Sequence, residues 1–227
     1  MSWQQWVRDA EIEPSIYAAD FARLGAQLVE VMDAGARIFQ FDIGDGHFVE
    51  PVTIGPIVIE SIADLVHDRG GVLDCHLMVS NPERQIPQVA RAGGDSVTFH
   101  VEATDDPVRT AALGRDHGLG VGLALVPETP VDAAVEAAEK AAVDLVLCMS
   151  IHPGYSGQVF LPEAFTRIAK LRELLPPEVY VQVDGGVHLE NAAEVRAAGA
   201  ELLVAGSAVF GANDIGTRYA RLARGIA

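Results

Sequence analysis

The chain has 227 residues, 49% of them hydrophobic and 21% charged, which is enough for one large core and too little to need two. Sixteen basic residues face thirty-two acidic ones, and the net charge of −16 gives a surface field that repels nucleic acid and anionic membrane. Any phosphate the protein binds must therefore be held locally. One domain over residues 1–227 is expected, with 1–10 as an N-terminal extension. That opening carries Asp9 and no long apolar stretch, so it does not read as a secretory signal, and no run approaches the roughly 20 apolar residues of a spanning helix. Cys75 and Cys148 fall in predicted strands, where buried free thiols suit a reducing cytoplasm.

In chain order, Glu11 to Ile16 reads as a short strand, and Asp20 caps a helix whose apolar positions Phe21, Leu24, Leu28, Val31 and Met32 keep helical spacing up to Gly35. Phe39 to Phe48 is a second strand running into a loop. Strict alternation places Gln40, Asp42 and Gly44 on one face of it and Phe39, Phe41 and Ile43 on the other. A helix follows from about Ile54 to His67, then a strand from Val72 to Met78, a helix opened by Asn81-Pro82 and closed by Gly93-Gly94, and a strand from Ser96 to His100. The alternation continues with a helix over about Asp106 to His117, a strand over Gly120 to Leu125, a helix over Val131 to Lys140 and a strand over Asp144 to Met149. The last units are a helix from Pro162 to Leu175 with a strand over Val179 to Val183, and a helix from Leu189 to Ala198 with a strand over Glu201 to Ala205. A final helix covers Asp214 to Ala223.

Eight apolar strands alternating with eight helices predict an α/β fold, a single (β/α)8 TIM barrel. The rival, a doubly wound open sheet, lacks its usual Gly-x-Gly-x-x-Gly turn after the first strand. On this scheme Ser15, Asp42, His76, His100 and Asp184 all fall at or near C-terminal strand ends, the rim where barrel enzymes build their sites. Singly each has a plain structural reading; the common rim is what points to chemistry.

Asp42 and Asp184, on well-separated strands, can face one another across the mouth, one taking a proton while the other gives one. That suits inversion at a carbon beside a carbonyl, through an enediolate stabilised by positive charge. Asp42, His76 and Asp184 are suitable ligands for a divalent metal, the alternative being a structural acid and histidine network. Gly154, Ser156 and Gly157 after strand six, Gly185-Gly186 after strand seven and Gly206-Ser207 after strand eight form three loops able to cradle a phosphate. The only lysines, Lys140 and Lys170, sit on outer helices, which disfavours Schiff-base chemistry.

Pro14-Ser15-Ile16 with Ala19-Asp20-Phe21, Asp45-Gly46-His47-Phe48-Val49, His76-Leu77-Met78-Val79, His100-Val101-Glu102-Ala103-Thr104, Val183-Asp184-Gly185-Gly186-Val187 and Gly206-Ser207-Ala208 together resemble the landmarks of the ribulose-phosphate 3-epimerase family, from Ile12 to about Gly211. The resemblance implies a metal-assisted proton transfer that inverts carbon 3 of a phosphorylated ketose, ribulose 5-phosphate and xylulose 5-phosphate being the first pair to test. It implies Asp42 and Asp184 as acid and base, Ser15 touching substrate, Met78 and Met149 capping the intermediate, the glycine loops on the phosphate, a divalent ion (Zn, Fe, Mn or Co) and a homo-oligomer. Two residues before Asp42, Gln40 stands where the family usually has a metal-binding histidine. Two residues after it, Gly44 replaces a methionine. Gln40 offers an amide oxygen, a weaker ligand for zinc-like ions than imidazole. Gly44 leaves either a hollow or a space that a neighbour fills. Glu50-Pro51 and His152 are further departures. Gln40 and Gly44 keep two alternatives open: a member retuned for a hexulose or other pentulose phosphate, and a silent sugar-phosphate binder without metal.

Overall fold

The computed structural model describes residues 3–155 and 157–227. Among them eight strands alternate with helices: β1 Glu11–Pro14, β2 Ile38–Gly44, β3 Val72–Met78, β4 Ser96–His100, β5 Gly120–Leu125, β6 Leu145–Met149, β7 Tyr180–Asp184 and β8 Leu202–Ala205. Every neighbouring pair from β2 through β8 and back to β1 is parallel, and a Ser15 to Gln40 bridge joins the β1 end to β2. The sheet is thus a (β/α)8 barrel, with every strand's C-terminal end at one mouth.

The helices are α1 Trp3–Trp6, α2 Leu24–Asp33, α3 Pro56–His67, α4 Pro82–Ala92, α5 Pro107–Asp116, α6 Val131–Ala141, α7 Glu163–Leu174, α8 Ala192–Ala197, α9 Ser207–Phe210 and α10 Ile215–Ile226. None of the described helices is long and apolar enough to cross a membrane. Asn81, Asp106 and Asp214 cap α4, α5 and α10 by accepting the amides of Arg84, Arg109 and Thr217. Asp20 instead caps a short 3-10 turn, Phe21–Arg23, that precedes α2. The predicted helix from Leu189 starts only at Ala192, because Asn191 accepts the His188 amide at 2.8 Å and donates to the Gly186 carbonyl at 3.0 Å, which holds residues 188–191 in a turn. The first strand stops at Pro14, with Ile16–Ala18 turning as 3-10 helix.

The period of two along β2 sorts its side chains. Phe39, Phe41 and Ile43 join the apolar layer between barrel and helices, whereas Ile38 belongs to the barrel interior. That interior has a floor. Trp3 and Trp6 meet edge to face, ring centroids 5.1 Å apart, in one cluster with Ile38, Val72, Leu145 and Leu202. A Cβ at Gly120 would lie 2.9 Å from Trp3 Nε1, so β5 leaves room for the indole. A polar layer also lies inside: Gln182 Nε2 donates to Glu13 Oε2 at 2.6 Å and to Asp74 Oδ2 at 2.8 Å, and Ser96 Oγ donates to Asp74 Oδ1 at 2.6 Å. Burial pushes both carboxyls, Glu13 and Asp74, above the usual carboxylate range. Since Asp42 and His76 follow Gln40 and Asp74 by two residues in register, this layer sits directly beneath the mouth.

Removing the floor tests its weight. Trp3→Ala is expected to cost about 3–5 kcal/mol of stability, the range for truncating a fully buried large aromatic, read from chemical denaturation.

Candidate active site

Three buried or largely buried side chains meet at the C-terminal mouth. His76 Nδ1 lies 3.1 Å from Asp42 Oδ1 and 3.7 Å from Asp184 Oδ2. The ligand-capable atoms of Asp42, His76 and Asp184 all fall within 4.8 Å of one another. Strands β2 and β7, distant in sequence, bring the two aspartates to one point.

Each member is held from behind. Ser15 Oγ donates to Asp42 Oδ2 at 2.7 Å, and Thr53 Oγ1 donates to the Asp42 carbonyl at 2.7 Å while accepting the Gly44 amide at 2.6 Å. Gln40 is fully buried beside them; with its amide nitrogen facing Asp42 it donates at 3.1 and 3.2 Å, and half a turn of the amide puts its oxygen there instead. The loop after β2 has a plain job: Asp45 accepts the amides of His47, Phe48 and Ser80 and the Ser80 hydroxyl. Partial burial works against its charge, but those donors outweigh it and hold its carboxyl down at about 2.

Electrostatics follow from burial. Desolvation, with the Asp42 charge adding to it, pushes the Asp184 carboxyl up to about 7. Burial disfavours the His76 cation, yet the hydrogen bond and charge of Asp42, with Asp184 and Asp74 behind, raise its pKa above the ordinary histidine value. Two carboxylates facing one imidazole make a place where positive charge is stabilised.

Above the cluster a cavity of about 520 Å³, open mouth included, is lined by Ser15, Asp42, Met78, Met149, Asp184 and the glycine loops at 154, 157, 185, 186 and 206, with Ser207. Every expected substrate-side residue thus borders one space except His76, which lies behind it, and Ser156, which falls outside the described residues. At Gly185 and Gly186 φ is +116° and +65°, and an added Cβ would lie 2.3 Å from Ile151 Cγ1 and 2.6 Å from the Phe160 nitrogen, so only glycine fits. Ser150 Oγ, 2.6 Å from the Gly185 carbonyl, and Asn191 on the Gly186 carbonyl fix that loop. Neither was singled out from sequence, since an isolated Ser or Asn gives no pattern. Tyr17 and Tyr155 also border the cavity.

Gly44 leaves no hollow. A Cβ there would sit 2.9 Å from Val49 Cγ2, 3.0 Å from the Pro51 carbonyl and 3.1 Å from Thr53 Cγ2, so the 49–53 loop has filled the space. His152 is exposed and pairs with Glu128 away from the cluster. Lys140 and Lys170 pair with Glu136 and Asp132 on the outer surface.

A parallel barrel with its polar cluster and cavity at the C-terminal mouth defines an enzyme-type (β/α)8 barrel. The ribulose-phosphate 3-epimerase family description matches residues 11–210. Ribulose-phosphate 3-epimerase 2 of Cupriavidus necator is 41% identical over 219 residues, 93% of this chain and 89% of that protein. Ribulose-phosphate 3-epimerase of Serratia marcescens is 39% identical over 206 residues, 89% of this chain and 96% of that protein. A crystal structure of 3-hexulose-6-phosphate synthase from Salmonella typhimurium superposes with a TM-score of 0.72 at 15% identity, covering 95% of this chain and 98% of that one, a likeness of fold. The chain belongs to the ribulose-phosphate 3-epimerase family and is an epimerase.

Two outcomes are expected. Gly44→Met lowers stability by about 1–3 kcal/mol through overpacking against the 49–53 loop, measured by thermal unfolding. Because the Asp184 pKa is raised in the fold, its charged form is disfavoured there, so this residue's contribution to stability is full below the unfolded value of 3.8 and lost as pH rises through about 7. Asp184→Asn should therefore raise the melting temperature of EDTA-treated protein at pH 8, with the gain vanishing below pH 4.

Proposed function

We propose that this epimerase inverts carbon 3 of a phosphorylated ketose, interconverting ribulose 5-phosphate and xylulose 5-phosphate. The observation that carries the reading is the pair Asp42 and Asp184, set around one imidazole beneath a glycine-lined cavity. One carboxylate removes the carbon 3 proton and the other returns a proton to the opposite face, the roles exchanging in reverse. Two acids are needed because a single group returning its own proton restores the starting configuration. Ser15 keeps the Asp42 carboxylate aimed through its 2.7 Å hydrogen bond and also borders the substrate space. Met78 and Met149, both buried, present an apolar lid to the planar intermediate and keep water from quenching it. The phosphate sits on the loops at Gly154, Gly157, Gly185-Gly186 and Gly206-Ser207, where backbone amides bind an anion despite the chain's negative charge.

The donor set fits a divalent cation. Asp42, Asp184 and His76 converge, and the Gln40 amide can turn its oxygen to the same place. When bound, such an ion (Zn, Fe, Mn or Co) polarises the substrate oxygens beside carbon 3, and three oxygen donors to one nitrogen favour Mn or Fe more than a histidine-rich site does. With the space at Gly44 filled, nothing at that position enlarges the site for a hexulose, and the pentulose pair comes first. Buried free thiols at Cys75 and Cys148 fit a reducing cytoplasm.

In deuterated water, carbon 3 of ribulose 5-phosphate should take up solvent deuterium, and no exchange with added zinc, manganese, iron or cobalt overturns the reading. Asp42→Asn and Asp184→Asn are each expected to lower kcat by about 10²–10⁴, the span for a general acid or base. Gly186→Ala should instead raise KM, because its Cβ meets the Phe160 backbone and displaces the phosphate loop.

A further inference from the structure

Behind His76 runs a line of hydrogen-bonded groups, from the barrel interior out to a partly exposed carboxylate, with no part in the proton transfer itself. His76 Nε2 lies 2.9 Å from His100 Nε2, and His100 Nδ1 lies 3.2 Å from Glu102 Oε2. Both imidazoles are fully buried, and the Phe48 ring covers His100 at a centroid distance of 4.7 Å. Glu102, on the 3-10 turn Val101–Ala103 that follows β4, uses its other oxygen to accept the Val126 amide at 3.1 Å and the Thr129 hydroxyl.

Counting donors along this line fixes the proton between the two imidazoles. A carboxylate only accepts, so His100 must carry its proton on Nδ1. A neutral imidazole carries one proton, so His100 Nε2 is a bare lone pair. The proton between the two Nε2 atoms therefore belongs to His76. With that nitrogen committed, Nδ1 is the one left to face Asp42 Oδ1 and Asp184 Oδ2, at 3.1 and 3.7 Å: it donates to Asp42 when it carries a second proton and offers a lone pair when it does not. A positive charge among these three atoms, a second proton on Nδ1 or a divalent cation that takes its place, is what the two carboxylates call for.

We infer that Glu102, acting through His100, is a positioning residue that sets the His76 tautomer so that Nδ1 faces a divalent cation. The inference rests on the reading that Asp42, His76 and Asp184 hold that cation. It extends the usual support of a metal-bound histidine by one imidazole: instead of meeting a carboxylate directly, the second nitrogen of His76 meets one through His100. The covalent spacing is short. His100 and Glu102 are two residues apart, and the turn between them lets the carboxylate fold back on the ring while bracing the loop after β5.

Glu102→Gln tests this with almost no change in shape. The Val126 amide and the Thr129 hydroxyl hold the new amide's oxygen on their side, so its nitrogen donates to His100 Nδ1. His100 then carries its proton on Nε2, and His76 is left with Nδ1–H donating to Asp42. In EDTA-treated protein labelled with ¹⁵N-histidine, the wild type should show a protonated Nε2 on His76 and a bare Nε2 on His100; Glu102→Gln should exchange them. Calorimetric affinity for Mn²⁺ should fall about ten- to hundred-fold, the usual cost of losing such support. A bare Nε2 on His76 in the wild type, or unchanged Mn²⁺ affinity in a folded Glu102→Gln protein, overturns the inference. Should the wild type bind no divalent ion while its nitrogens carry the expected protons, the cation reading fails and the tautomer relay stands. The wild-type spectrum decides the relay even if the variant does not fold.

Discussion

Two carboxylates sharing one imidazole, out of water, is the constraint around which the mouth of this barrel is arranged. Unit charges 4 Å apart interact by about 4 kcal/mol at an effective dielectric constant of 20, so Asp42 and Asp184 repel strongly unless a positive group stands between them. His76 supplies that place, and the surroundings refine it. Ser15, Thr53 and Gln40 steer Asp42, the β7 end carries Asp184, and Glu102 with His100 orients His76. Burial first, and the Asp42 charge after it, hold the Asp184 carboxyl above its ordinary range, so its charged form is disfavoured in the fold.

The rest of the scaffold keeps the cluster in place and dry. Beneath it, Gln182 bridges Glu13 and Asp74, so the barrel centre is crossed by hydrogen bonds where a packed apolar layer would be usual. Below that, Trp3 and Trp6 close the N-terminal end. Above it, the cavity rim is made from backbone: Gly185 and Gly186 turn in conformations open only to glycine, and Ser150 and Asn191 fix their carbonyls. A barrel supports this division well, because its strands are rigid and its loops after them are free to carry chemistry.

Gln40 and Gly44 flank Asp42 on the inward face of its strand, and each bears on it in a different way. At Gly44 the space is filled by the 49–53 loop, where Val49 and Thr53 pack close and the Thr53 hydroxyl donates to the Asp42 carbonyl. At Gln40 the change is chemical: an amide can donate to Asp42 or offer an oxygen, where an imidazole would offer a nitrogen. Gly44 is a matter of packing; Gln40 is a matter of the donor set.

The alternation of apolar strands and capped helices, the period of two along Ile38 to Gly44, and the acids and histidines at strand ends were all legible in the residues themselves. They are local properties, set by side-chain direction and by cap and turn chemistry. Four things were not. The filling of the space at Gly44, the Glu13, Asp74 and Gln182 layer, the tryptophan floor and the line from Glu102 to His76 join residues from different strands or distant segments. No spacing in one dimension encodes such contacts. They arise only when the barrel closes, because closure decides which side chains share a level of the interior and which nitrogen of an imidazole is left to face the mouth.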